Sequence, residues 1–161
     1  AMTNHRIAKY GLFVALAMIL SYVEAALPSI AIPGVKLGLA NLVGMVALFH
    51  MGWKDAVIIT LIRIVFTGIT FGNPFSMCYS LGGAALSLLS MCLLKKTGGF
   101  SAVGISIAGG IMHNVGQLIF AAFVLQSASV FTYLPVLLMS GTIAGIAIGL
   151  LTGLVIKRLP K

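Results

Sequence analysis

The chain has 161 residues, 60% of them apolar and 7% charged, with a mean hydropathy of +1.16. A soluble globular domain is about 45–50% apolar and about 25% charged, so lipid must be the solvent for much of this surface. Ten Lys and Arg against two acids give a formal charge of +8, but the cations fall between apolar runs rather than in one basic patch, which excludes a nucleic-acid partner.

A membrane-crossing helix needs about 20 predominantly apolar residues, and the sequence predicts six, taken here in chain order. The first covers 8–27. Thr3-Asn4-His5-Arg6 ahead of an apolar stretch has the look of a signal peptide, but the segment from Tyr10 to Leu27 exceeds an h-region of about 7–15 residues and is expected to remain as a helix. The second, 37–51, is short for a perpendicular crossing. The third, 55–71, ends at Phe71-Gly72-Asn73-Pro74-Phe75, a strong turn signal, since Pro lacks a donor and the residue before it avoids the α region. The fourth covers 76–94. Residues 97–156 carry no Asp, Glu, Lys or Arg, which is too long for one helix and suits two, 102–125 and 135–156. The expectation is an all-α membrane protein with one transmembrane domain over 1–161.

The cations orient these spans. With the N-terminus in the cytoplasm, the inner face receives Arg6, Lys9, Lys54, Lys95, Lys96, Lys157, Arg158 and Lys161, the outer face only Lys36, and Arg63 lies within a span. That asymmetry is what the positive-inside rule demands, and five or seven spans would scatter it. Both termini are therefore expected in the cytoplasm. The outer connections hold Pro28, Pro33, Pro74 and Pro135, so the outer side reads as the built, gating side.

In lipid, helices associate through close contact of small residues. The last span repeats glycine at 141, 145, 149 and 153, a ridge that lets a neighbour approach over about four turns. The first has Gly11 and Ala15, then Ala17, Ser21 and Ala25; the fourth has Ser80, Gly83, Ser87 and Ser90 on one face. Each ridge reads as packing within the chain or as a docking face for a partner, with the first span the best candidate for docking.

Ionisable groups inside the bilayer are costly and point to function. Arg63 lies roughly 12 Å beyond Asp55 along a helix, near the midplane. Its guanidinium stays charged, so it must face a carboxylate, carbonyls, water or an anionic ligand. Glu24, at the outer end of the first span, is either its structural partner or a neighbour in an anion site. His113, Asn114 and Gln117 share faces of the fifth span, flanked by Gly109, Gly110 and Gly116, which admit another backbone or a flat ligand. Asn41 and Lys36 add polar groups at the outer level, and Tyr79 can reach either this pocket or the outer interface. Trp53, Lys54 and His50 fit the inner boundary, and Tyr133 an outer aromatic belt. Cys78 and Cys92 have no metal-ligand spacing.

The chemistry that is missing narrows the reading. No phosphate-binding loop or kinase signature appears, and two acids on opposite faces cannot cluster around Mg²⁺. The chain reads as a binding protein rather than a self-sufficient enzyme, with no cofactor and no metal site; active transport would need an ion gradient or a separate ATPase.

Several stretches in order then carry a resemblance: 33–42 (Pro33-Gly34-Val35-Lys36-Leu37-Gly38-Leu39-Ala40-Asn41-Leu42), Lys54-Asp55-Ala56, Leu61-Ile62-Arg63, Tyr79-Ser80-Leu81-Gly82-Gly83, 109–117 around Met112-His113-Asn114, and Tyr133-Leu134-Pro135 followed by Gly141. Together, over nearly the whole chain, they resemble the bacterial Gx transporter family, also labelled heptaprenyl diphosphate synthase component I. That family looks like a relative of the substrate-binding S components of energy-coupling factor (ECF) vitamin transporters. The resemblance implies a six-helix fold in the bacterial cell membrane, a small-molecule ligand taken from outside, and an ECF-type coupling protein with ATPases as partners. Gly11, Ala15 and Ala17 stand where S components dock, although the AxxxA spacing is not matched. The polar residues within and beside the spans, Glu24, Lys36, Asn41, Arg63, Tyr79, His113, Asn114 and Gln117, are the expected ligand site. A prenyl synthase uses aspartate-rich motifs that this chain lacks, so the synthase label leaves a membrane accessory role in polyprenyl diphosphate synthesis as the alternative.

Overall fold

The computed structural model describes residues 3–26, 39–70 and 72–159, and among them every regular element is helical. Six helices follow in order: α1 Asn4–Ala26, α2 Leu39–His50, α3 Trp53–Thr70, α4 Pro74–Thr97, α5 Ala102–Leu125 and α6 Leu134–Arg158. A 3₁₀ helix, Ala128–Tyr133, joins the last two.

Local sequence explains the ends. The Gly-Asn-Pro break becomes the start of α4: Asn73 caps it, its side chain accepting from the Ser76 N–H at 2.8 Å, while the Ser76 hydroxyl accepts from the Asn73 N–H at 3.0 Å. Pro74 occupies the first turn, where its missing N–H costs nothing. Gly98 closes α4 in the left-handed region at φ +74°. Ser101 opens α5 by accepting from the Gly104 N–H, and Gln126 ends it at φ 51° with its side-chain amide on the Phe123 carbonyl. Gly52, at φ +119°, turns α2 into α3.

α4, α5 and α6 pack through bare backbone. A Cβ on Gly116 would sit 2.5 Å from the Gly82 carbonyl oxygen, and one on Gly145 would sit 2.6 Å from the Ile107 Cα. Gly110 and Gly141 face each other across α5 and α6 in the same way. Another backbone, not a flat ligand, takes the space beside Gly110 and Gly116. Gly141, Gly145 and Gly149 all meet α5, whereas Gly153 has nothing within 4 Å, so the expected four-glycine contact is a three-glycine contact.

α2 is short, with 12 residues, but Met45, Val46, Ala47 and Leu48 are all buried. A helix apolar on every side belongs in a core, and α2 packs against α1, α3 and α6. Among the described residues four stretches are long and apolar enough to cross a membrane: Asn4–Glu24, Pro74–Thr97, Ala102–Leu125 and Ala128–Arg158. Large apolar side chains such as Leu16, Ile69, Phe123 and Ile143 point outward, as in a multi-pass membrane protein. The expected prolines at 28 and 33 and the first residues of the second span lie outside the described residues.

At the end of the bundle where α1, α3 and α5 begin, four helix ends are tied in two pairs. The Arg6 guanidinium meets Asp55 Oδ1 at 2.6 Å, and the Tyr10 hydroxyl donates to the same oxygen. Asp55 is 6% exposed. Lys95 Nζ donates to the Leu48 carbonyl at 2.5 Å and lies over the Phe49 ring, joining α4 to the end of α2.

Candidate functional site

A cavity of about 400 Å³ runs through the bundle, and all six helices contribute to its wall. Glu24 reaches it from α1, Asn41 from α2 and Arg63 from α3. Tyr79 reaches it from α4, and His113, Asn114 and Gln117 from α5. Seven polar residues far apart in sequence are thus brought to one space. Lys36, expected at its mouth, lies outside the described residues.

These groups differ in what already holds them. The Asn114 amide donates to the Leu137 carbonyl at 2.8 Å, so one of its functions is to tie α5 to α6. His113 and Gln117 lie against Gly83, where a Cβ would sit 2.9 Å from His113 Cε1 and 2.8 Å from Gln117 Cγ. The glycine is what lets α4 approach the two polar side chains. Tyr79 stacks on Phe75, with ring centroids 6.1 Å apart and planes 16° apart, and Phe75 in turn meets Phe120 at 5.8 Å.

Arg63 is the group with the most at stake electrically. It is half-buried, and among the described residues no side chain or carbonyl hydrogen-bonds its guanidinium. Glu24 acts on it through space, while the close ion pair among the described residues is Arg6–Asp55 at the other end of the bundle. A charged guanidinium on a largely apolar cavity in a low-dielectric surround is a strong attractor for an anion.

The residues named as a docking face are divided. Gly11 and Ala15 are exposed on the outside of α1, beside Leu12, Leu16 and Ile19. Ala17 is fully buried in the core and turns away from that surface.

Sequence reasoning passed over the hydroxyls of the wall. Thr60, Ser80, Ser87 and Ser106 all line the cavity, although Ser80 and Ser87 read as part of a packing ridge. The signal was there in their identity, since alanine or glycine would pack as closely without a hydroxyl. The Arg6–Tyr10–Asp55 cluster was also missed; pairing of Asp55 with a cation on the first helix follows from topology, which a charge count does not supply. The arrangement suits binding: one fixed cation, one carboxylate, amides, an imidazole and hydroxyls around a partly apolar space.

The chain matches the sequence model of the family described as heptaprenyl diphosphate synthase component I over residues 13–155. No curated protein and no solved structure matches it. The match covers most of the chain, which therefore belongs to that family.

Proposed function

We propose that this member of the heptaprenyl diphosphate synthase component I family is the membrane-embedded, substrate-binding subunit of a small-molecule transporter, similar in kind to an ECF S component. The observation that carries the reading is Arg63, a permanent cation with no contacting carboxylate among the described residues, on the wall of a largely apolar cavity with a few polar groups. A cation is held in such a place at a cost of several kcal/mol, and an anionic ligand offsets it. Asn41, His113 and Gln117 supply directional hydrogen bonds, Tyr79 a stacking surface and Lys36 an attractive charge at the mouth. Glu24 balances Arg63 when the site is empty or accepts from a donor on the ligand. The ligand is of the vitamin, flavin or quinone and isoprenoid-precursor kind, and the chain itself is not an enzyme.

Six spans with both termini in the cytoplasm complete the reading. Arg6, Lys9, Lys54, Lys95, Lys96, Lys157 and Arg158 all belong to one end of the bundle, and in this reading the cavity opens at the other. The ligand then enters from outside. An ECF-type coupling protein with ATPases supplies the energy, docking on the Gly11 and Ala15 face of α1. The family's description favours a second reading, a membrane accessory component of polyprenyl diphosphate synthesis.

Purification of the tagged protein from its native membrane in mild detergent separates the two. A coupling protein and ATPases in the eluate support transport. A soluble prenyl synthase in their place supports the accessory role and overturns the transport reading.

A further inference from the structure

Three of the wall hydroxyls are more than nine-tenths buried: Thr60 is 7% exposed, Ser87 6% and Ser106 4%. Membrane-helix hydroxyls ordinarily satisfy themselves on the carbonyl one turn back, as Thr142 and Thr152 do here at 2.8 and 2.7 Å. Thr60, Ser87 and Ser106 make no such bond and have no other hydrogen-bond partner among the described residues. Nor are they sealed in. Among the described residues the hydroxyl that is both unpartnered and closed off is that of Ser21, whereas the other three line the cavity.

Their register places them together at its inner end. Ser106 is one turn into α5, whereas Gln117 on the same helix is at the opposite level, roughly 16 Å away at about 1.5 Å per residue. Ser87 lies roughly 12 Å deeper than Tyr79 on α4, and Thr60 is one turn deeper than Arg63 on α3. At the same inner level the wall includes Leu88, Met91 and Ile148, while Ile64 adjoins Arg63. The cavity thus carries its charged and amide groups from the midplane outward and three neutral hydroxyls, set among apolar side chains, at its inner end.

We infer that Thr60, Ser87 and Ser106 form a second subsite, a floor that hydrogen-bonds an uncharged polar group on the ligand while Arg63 holds its anionic group. This rests on the binding-subunit reading and narrows its substrate class. The ligand is an elongated organic anion whose far end carries carbonyl, hydroxyl or ring-nitrogen groups. A pure hydrocarbon tail is the wrong occupant, since it would bury three hydroxyls without partners.

Two probes with the same kind of anion and opposite remainders test this: riboflavin 5′-phosphate, with a heteroatom-rich ring, and farnesyl diphosphate, with a hydrocarbon chain. Their dissociation constants are measured on the purified wild type and on Thr60→Val, Ser87→Ala, Ser106→Ala and Arg63→Gln, with melting temperatures recorded without probe. The floor predicts tighter binding of riboflavin 5′-phosphate. Each hydroxyl deletion weakens that binding about three- to tenfold, the effect of one neutral hydrogen bond, with no fall in melting temperature because no internal bond is lost. Arg63→Gln abolishes binding of both. Tighter farnesyl diphosphate binding, or deletions that leave riboflavin 5′-phosphate unchanged while Arg63→Gln still abolishes it, overturns the floor and leaves the binding reading standing. A fall in melting temperature with unchanged affinity makes the hydroxyls structural. If the wild type binds neither probe, the binding reading fails and the floor with it.

Discussion

Asp55 Oδ1 takes hydrogen bonds from both Arg6 and Tyr10, and it does so where burial removes most competing water. Asp55→Ala leaves the Tyr10 hydroxyl without that acceptor and loosens the start of α1 from α3. The expected cost is about 1–3 kcal/mol, read as a lower melting temperature in detergent. Asn114→Ala removes one interhelical bond to the Leu137 carbonyl, and such bonds in membrane proteins average only about 0.6 kcal/mol. Its melting temperature should therefore fall less than that of Asp55→Ala. The sequence made Arg63, His113 and Gln117 legible because charge and amide groups in apolar runs demand an explanation. It did not reveal which acid meets which cation: Asp55 reads as an interfacial residue until the fold brings Arg6 and Tyr10 to it. Ser87 and Ser106 stayed hidden because serine is small enough to pass as packing.

The helix contacts turn on whether a glycine faces backbone or open space. In Gly116→Ala the new methyl meets the Gly82 carbonyl and the Gly83 Cα, neither of which can rotate away. Separation of α4 from α5 should cost about 1–3 kcal/mol. Gly153→Ala meets nothing within 4 Å and gains helix propensity, so it should be neutral or slightly stabilising. Parallel thermal melts of the two variants check the contrast. Asn73→Ala removes the cap of α4 and should cost about 1 kcal/mol. The break at 72–74 was plain in the sequence because Gly, Asn and Pro each have a fixed physical role there. The glycine repeat was equally plain, but its extent was not, since the period says where a ridge lies and not how far a neighbour follows it. The 3₁₀ helix at Ala128–Tyr133 had no such marker: its Ser127 cap and the Ser129 carbonyl bond to Thr132 arise from side chains that read as an ordinary turn.

At the scale of the whole molecule, charge asymmetry and apolar run length made the all-helical membrane architecture legible, while the burial of α2 came only from packing. The proposed orientation is open to a direct check. In a background of Cys78→Ala and Cys92→Ala, a cysteine at Gly99 should react with an impermeant maleimide only in inside-out vesicles, and one at Ser127 only in intact cells; the reverse pattern would turn the cavity mouth towards the cytoplasm. The central claim is that the cavity holds an anionic small molecule on Arg63. Native mass spectrometry of the mildly purified wild type beside Arg63→Ala tests it most directly. The account predicts a defined small anionic adduct on the wild type and a clean mass for the folded variant. Retention of the same adduct by Arg63→Ala would contradict it, as would loss of folding in Arg63→Ala that Glu24→Ala restores, for Arg63 would then be half of a structural ion pair.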